Sequence, residues 1–477
     1  MANSQFIGRE KELRSLRLLL NKKTASIAVV KGRRRIGKSR LIVEFAKGHR
    51  FLPFSGLAPT DKLSAQDQRD EFSHQLSELT DLPELKADDW SKLFKLLSQV
   101  TQTGRVIILL DEISWMGMDD NTFLPKLKNA WDLEFSKNPK LILILCGSVS
   151  TWITKNILSS TGYFGRISRK ITLRELPLNV CNQLLKVQSV VGSVLEKFKL
   201  LSVTGGIPWY IEQLQPGLSA DDNIKQLCFV EDGPLFTEFD QIFHDLFGKR
   251  SDLYKAIVTS LAKSPLEFND ICAQLHYPKS GVMSEYLMDL EECGFITRDY
   301  TWSLTEKTES RLSHFRLSDN YLRFYLKYID QHKNQIKRGH YDSIALSSLP
   351  GWNPIMGFQF ENLILSNRQK IWEKLNISPE FIISDNPFFQ RKTTRTPGCQ
   401  IDYLIQTRMN MLYACEIKFS KNVLTTSTIH EMQDKLMRFK APKKYAVLPI
   451  LIQVNGVSNE VIDKDFFVKI IDFSEFL

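Results

Sequence analysis

The sequence predicts an α/β protein: a three-layer domain at the N-terminal end, a helical middle, and a second α/β unit at the C-terminal end. Three observations predict it. Over roughly the first 245 residues short apolar runs alternate with amphipathic stretches. From about 250 to 340 the strand-like runs disappear, and after about 350 they return as alternating, hairpin-like segments. Continuous apolar strands separated by helices imply a parallel sheet covered on both faces. A chain of 477 residues is also too long for one core, and the boundaries read as 1–245, 246–340 and 341–477.

Taken in order, the apolar runs 26–30, 51–54, 106–110 and 141–146 predict buried strands, with helices over 38–47 and 90–100 between them. Residues 251–262, 268–274 and 281–293 read as three short helices, and 295–304 as a hairpin. Helix, helix, helix, β-wing is the order of a winged-helix unit. An aromatic helix over 319–329 and a polar, basic linker over 333–348 lead to the last unit, which begins near Trp352.

The bulk numbers exclude some classes. A hydrophobic share of 43% and a charged share of 25% are those of a soluble globular chain rather than a disordered one. The net charge of +9 and pI near 9.0 permit an acidic partner such as nucleic acid. The excess is not concentrated at the C-terminal end, where residues 351–477 hold 16 Lys and Arg against 13 Asp and Glu. Seven scattered cysteines without a C-x-x-C pair point to reduced thiols in a cytoplasmic chain and away from a zinc module. The start Met-Ala-Asn-Ser-Gln-Phe shows no secretory signal, and no apolar run is long enough to span a bilayer, so no membrane partner is expected.

Residues 32–39, Gly-Arg-Arg-Arg-Ile-Gly-Lys-Ser, match G-x-x-x-x-G-K-[ST] between a predicted strand and a predicted helix. Gly32 and Gly37 let the backbone curl so that its N–H groups face phosphates, and the helix N-terminus adds favourable partial charge. Lys38 reaches the β- and γ-phosphates of ATP and Ser39 ligates Mg²⁺. Residues 106–112, Val-Ile-Ile-Leu-Leu-Asp-Glu, end a strand in two carboxylates. Asp111 suits Mg²⁺, and Glu112 suits orienting and deprotonating the attacking water. Ser148, after the run 141–146, either senses the γ-phosphate from the strand between the two motifs or caps the following turn. Arg33, Arg34 and Arg35 face solvent, nucleic acid or a neighbouring domain; the sequence leaves this open.

With Phe6-Ile7-Gly8-Arg9-Glu10, these motifs resemble the signal-transduction ATPases with numerous domains (the STAND clade, related to AAA+). Within that clade they look most like the archaeal and bacterial group that pairs a P-loop domain with a winged helix and a C-terminal nuclease-like domain. The resemblance covers nearly the whole chain. It implies that Gly8, Arg9 and Glu10 lie against the adenine, and that Gly205-Gly206-Ile207-Pro208 places Pro208 near the base. Tyr163-Phe164-Gly165-Arg166 resembles the segment where the group keeps an arginine. Arg166 is then an arginine finger, in cis or across the boundary of a homo-oligomer built through the ATPase domain, with Arg169 as its rival.

After residue 350 a turn at Pro397-Gly398 precedes a strand over 400–405, a second turn over 407–410 and a strand over 411–418. Asp402 lies on the first strand, and Glu416 and Lys418 share one face of the second. Two carboxylates at one point call for a divalent cation between them, and a nearby ammonium stabilises a pentavalent phosphate. The order Asp, thirteen residues, Glu, one residue, Lys resembles the PD-(D/E)xK restriction-endonuclease-like superfamily. That resemblance makes Asp402 and Glu416 metal ligands, puts Lys418 at the scissile phosphate, and gives Glu361, on the preceding helix, an accessory role. Ile401 stands where the motif often has proline. Gln433, on a helix over 429–439, reads as solvated or as approaching the site.

The helix over 281–293 carries Glu285, Asp289, Glu291 and Glu292 and no Lys or Arg. Phosphate contacts need basic residues, so the winged helix is expected to be structural or to contact protein. The leading expectation is an ATP- and Mg²⁺-dependent switch ATPase coupled to a DNA endonuclease-like domain, RNA not being excluded. The alternative is an ATP-driven regulatory or scaffold protein whose nuclease-like domain only grips a partner.

Overall fold

The protein is described by a computed structural model covering residues 6–477 except 59, 61–62, 118–119, 149 and 395. The absence of a signal, read from residues 1–5, lies outside those described. The chain divides into two compact units. The first is Met1–Glu175 with His244–Gly248 and Glu292–Gly294, and the second comprises Leu176–Phe243, Lys249–Glu291 and Phe295–Leu477.

The first unit holds a five-stranded parallel sheet. Its strands are β1 (Ser26–Lys31), β2 (Arg50–Ser55), β3 (Val106–Asp111), β4 (Leu141–Gly147) and β5 (Ile167–Thr172), in the order β2-β3-β4-β1-β5. All residues of β1 and β4 are buried, as continuous apolar strands covered on both faces should be. Strand β5, Ile-Ser-Arg-Lys-Ile-Thr, was not legible as an apolar run. It is an edge strand with Arg169 and Lys170 exposed, a composition that discourages further pairing.

The helices Lys38–Ala46 and Trp90–Gln99 form where their periodicity places them. Asp89 accepts from the backbone N–H of Ser91 and so caps the latter helix. Trp90 and Phe94 are fully buried, and the Trp90 ring meets Phe123 edge-on at 4.8 Å. Trp90→Ala loses the burial of such a ring and leaves a cavity, and is expected to cost about 3–5 kcal/mol.

In the second unit the helices Ser251–Leu261 and Phe268–Gln274 precede Gly281–Glu292, whose last residue is grouped with the first unit. The hairpin expected within 295–304 is larger. That run supplies one strand, β6 (Ile296–Trp302), whose antiparallel partner is β7 (Glu309–Leu317). β7 was missed because Glu309, Arg311 and His314 interrupt its apolar residues.

The stretch 333–348 is not a loose linker. It forms the helix Lys333–Lys337 and a turn at Leu346–Ser348, with Ile336, Tyr341 and Leu346 buried. Tyr341 stacks on Phe229 at 5.2 Å. The aromatic helix forms as Asn320–Phe324 and Tyr325–Ile329, buried within this unit, with the Tyr321 hydroxyl donating to the Leu235 carbonyl at 2.7 Å.

A second sheet follows the helix Trp352–Ser366: β8 (Ile382–Gln390), β9 (Cys399–Thr407), β10 (Met411–Lys418), β11 (Ala446–Gln453) and β12 (Lys469–Asp472), in the order β12-β11-β10-β9-β8. β8, β9 and β10 are antiparallel neighbours, whereas β11 and β12 are parallel additions reached through the helices Ser427–Arg438 and Asn459–Asp463. The β6–β7 hairpin is tied to this sheet by buried bonds: Trp302 Nε1 donates to Gln406 Oε1 at 2.6 Å, and Gln406 Nε2 to the Leu304 carbonyl at 2.8 Å. Among the described residues no helix is long and apolar enough to cross a membrane.

Candidate nucleotide site and carboxylate cluster

The loop after β1 curls as the motif requires. Gly32 has φ 155°, and a Cβ there would meet the Leu173 carbonyl oxygen at 2.7 Å, so only glycine fits. Gly37, at φ 88°, turns the chain into the helix Lys38–Ala46. Lys38 is buried, and its ammonium donates to the carbonyls of Gly32 at 3.0 Å and Arg33 at 3.1 Å and to Ser148 Oγ at 2.9 Å.

The sheet order brings the two motifs together. β4 lies between β1 and β3, so Ser148 at its end faces both. Ser39 Oγ donates to Asp111 Oδ2 at 2.6 Å. Ser148 donates from its backbone N–H to Glu112 Oε2 at 3.0 Å and from its hydroxyl to Glu112 Oε1 at 2.6 Å. Glu112 adopts left-handed φ 48°, ψ 48°, an uncommon conformation for a residue with a side chain, found here at the turn into Ile113–Met116. A hydroxyl and a carboxylate oxygen converging at Ser39 and Asp111 are the hard donors Mg²⁺ takes, so these residues fit that ion.

Gly8 and Arg9 are buried, and Arg9 Nη2 donates to the Ile36 carbonyl of the phosphate loop at 3.2 Å. Glu10, by contrast, is exposed and opens the helix Glu10–Arg17. Of the three loop arginines, Arg33 is buried 3.8 Å from Glu175 and Arg34 pairs with Asp245. Arg35 takes the left-handed φ of 67°.

Arg166 is not brought to the phosphate loop. It grips Asp132 with two bonds, Nε–Oδ1 at 2.8 Å and Nη2–Oδ2 at 2.9 Å. That fork and Lys128 hold the Asp132 carboxyl down at about 2. Arg169 is exposed on β5, and Pro208 begins the helix Pro208–Glu212 in the second unit.

In the second unit the register of β9 and β10 sets Cys415 opposite Tyr403, which carries Glu416 toward Asp402. Asp402 Oδ2 accepts the backbone N–H of Ile417 at 3.0 Å. The ammonium that joins the pair belongs to Lys435, not Lys418. Lys435 Nζ lies 3.3 Å from Asp402 Oδ1 and bonds Glu416 Oε2, whereas Lys418 is taken by Glu431.

Glu431 and Lys435 sit four apart on the helix Ser427–Arg438 and so present one face to the sheet, while Gln433 is exposed. Lys435 was missed in the sequence because nothing local says which face of that helix docks. The amphipathic row 431–435 opposite an alternating Glu-x-Lys strand was the available signal.

Burial, then the neighbouring Asp402 charge, pushes the Glu416 carboxyl up to about 7 against the pull of Lys435. The same two causes push Glu361 up to about 7, with Arg316 opposing. Asp402 and Glu416 offer oxygen donors suited to a divalent cation, but their charge is here compensated by Lys435. Among the described residues no group of three or more His, Cys, Asp or Glu is gathered closely enough to hold a metal ion. All seven cysteines are free and buried.

A glycine loop closing on a buried lysine, with an acidic strand end one strand removed, defines a P-loop ATPase. Residues 6–214 match the family model described as an ATPase domain predominantly from Archaea. The chain is 24% identical over 361 residues to an uncharacterized protein of Methanocaldococcus jannaschii, covering 75% of this chain and 76% of that one. Among solved structures it resembles the Walker-type ATPase of Pyrococcus abyssi, at 17% identity and a TM-score of 0.52, over 68% of this chain and 97% of the other. This likeness is one of fold. A weaker likeness, at 15% identity and a TM-score of 0.42, is to the ORC2 protein of Aeropyrum pernix in its ADPNP-ADP complexes, over 71% of this chain and 96% of that one.

Proposed function

We propose that the chain is a cytoplasmic ATP-hydrolysing switch protein of the STAND type whose C-terminal unit is a metal-dependent DNA endonuclease of the restriction-endonuclease-like class. The observation that carries the ATPase part is the linkage Lys38–Ser148–Glu112 beside Ser39–Asp111. Lys38 binds the β- and γ-phosphates as the loop N–H groups orient them. Ser39 and Asp111 would hold Mg²⁺, which would supply positive charge against the phosphates. Glu112 takes the proton of the attacking water, and Ser148 aims its carboxylate. Gly8 and Arg9 lie toward the base. Arg166 serves a neighbouring copy in a homo-oligomer, a role supported by its position away from its own phosphate loop beside the exposed Phe164.

The functional domains are 1–245, 246–340 and 341–477. The middle one is a winged helix with a structural or protein-contacting role, since the helix Gly281–Glu292 is acidic. In the last, Asp402 and Glu416 would hold the metal with Glu361 assisting, and Lys418 would stand at the scissile phosphate. ATP binding licenses that site.

The second reading is an ATP-driven scaffold. It is favoured by the position of Lys435 between the two carboxylates, which satisfies them without a cation. Incubating the protein with single- and double-stranded DNA and Mg²⁺ or Mn²⁺, with and without ATP, separates the two. Cleavage lost in Asp402→Ala and altered in Lys38→Ala supports the first reading. ATP hydrolysis without cleavage on any strand type selects the second.

A further inference from the structure

The even balance of charge over residues 351–477 conceals a local concentration. Residues 391–398 carry Arg391, Lys392 and Arg395 and no acid. Residues 435–444 carry Lys435, Arg438, Lys440, Lys443 and Lys444 and no acid. Half of the region's 16 basic residues thus fall in two short segments.

The fold sets those segments side by side. Gln390 Nε2 donates to the Pro397 carbonyl at 2.7 Å and to the Arg438 carbonyl at 2.9 Å, and Gln390 Oε1 accepts the Lys440 N–H at 2.9 Å. Lys392, Arg438, Lys440, Lys443 and Lys444 are exposed, and Arg395 lies outside the described residues. Arg391 is paired with Glu267.

Between the segments lies an open hollow of about 330 Å³ whose walls include Glu267, paired with Arg391, and His314, Phe389, Gln400 and Arg438. The rings of His314 and Phe389 are 4.0 Å apart. The hollow adjoins the carboxylate pair. Gln400 precedes Asp402 by two residues on β9 and so shares its sheet face, and Arg438 follows Lys435 by one helical turn.

We propose that this surface binds a polynucleotide strand, its phosphates on the lysines and an unstacked base in the hollow, directed toward Asp402 and Glu416. Exposed, acid-free lysines and arginines are the footprint of phosphate binding, and aromatic and guanidinium planes stack bases of any sequence. The proposal deepens the nuclease reading by giving its substrate a path, but binding can be read without cleavage.

The test is fluorescence anisotropy of short labelled oligonucleotides, single- and double-stranded, DNA and RNA, with the full chain in chelator across a salt series. The triple variant Lys440→Glu/Lys443→Glu/Lys444→Glu changes exposed residues only. It is expected to weaken binding by about tenfold or more and to lower the slope of log affinity on log salt by about two to three. Phe389→Ala, with unfolding followed alongside, is expected to weaken single-strand binding more than duplex binding.

Parent-like affinity and slope in the triple variant, no binding by the parent, or equal competition by polyglutamate overturns the proposal. If the triple variant loses binding while no strand is ever cut, the surface stands and the nuclease reading falls. Cleavage that survives with unaltered binding in the triple variant does the reverse.

Discussion

Ser148 donates its hydroxyl to Glu112 at 2.6 Å while accepting the Lys38 ammonium at 2.9 Å. One side chain thereby connects the lysine proposed to bind the phosphates to the carboxylate proposed to activate water. Ser148→Ala is expected to keep ATP affinity within about threefold and to lower turnover by about tenfold or more, the effect of losing one buried bond of about 1–3 kcal/mol. Nucleotide titration and steady-state hydrolysis read the two quantities separately. Unchanged turnover would reduce Ser148 to a turn cap.

Glu112→Gln removes the base but keeps an acceptor for Ser148. Binding should persist while hydrolysis falls by about 10²–10⁴. Lys38→Ala, by contrast, should abolish binding. A hydrolysis rate that survives in Glu112→Gln would move the base elsewhere.

Arg166 and Asp132 form a bidentate pair at the end of the helix Phe123–Leu133. If Arg166 serves a neighbouring copy, Arg166→Ala should cost about 10³ or more in turnover at assembling concentrations, and Asp132→Ala should not. Equal, small effects on turnover in both variants would assign the arginine to the pair alone.

Asp89 caps the helix Trp90–Gln99, and its bond to Lys126 holds the carboxyl at about 2, below its ordinary 3.8. A depressed carboxyl stabilises the fold fully above the unfolded value, and that stability is lost as pH falls from 3.8 toward 2. Asp89→Ala should therefore cost about 1 kcal/mol at neutral pH and less as the solution is acidified through this window. Thermal unfolding over that pH range measures it. A cost that grows on acidification would refute the assignment.

Lys435 compensates Asp402 and Glu416. Lys435→Met should lower the unfolding temperature without metal, because two carboxylates then face each other unopposed. Added Mn²⁺ should restore it by more than it raises the parent. Lys418→Met, which breaks the pair with the exposed Glu431 and acts on Glu416 only at longer range, should show both effects more weakly. Mn²⁺ responses of equal size in both variants would remove Lys435 from the site.

The parts legible in the sequence were those whose signal is local. The strands β1, β3 and β4 are continuous apolar runs, and Gly32, Gly37, Lys38 and Ser39 follow β1 at fixed spacing, because curling a backbone around phosphate is a matter of a few consecutive residues. β5 and β7 escaped because exposed or half-exposed strands carry polar residues that break the run. Asp402 and Glu416 could be paired in advance, since a short turn fixes the register of β9 on β10.

Tertiary structure alone decided what meets across distance. Ser39 and Asp111 are 72 residues apart and touch because the helix after β1 and the end of β3 open onto one edge of the sheet, with β4 between the strands. Lys435 rather than Lys418 reaches the carboxylates because the helix Ser427–Arg438 docks one particular face, set by where its buried Ile429 and Met432 pack. Spacing along the chain specifies the turn and the strand. Which ammonium neutralises a buried pair is specified by packing, and that is a property of the whole unit.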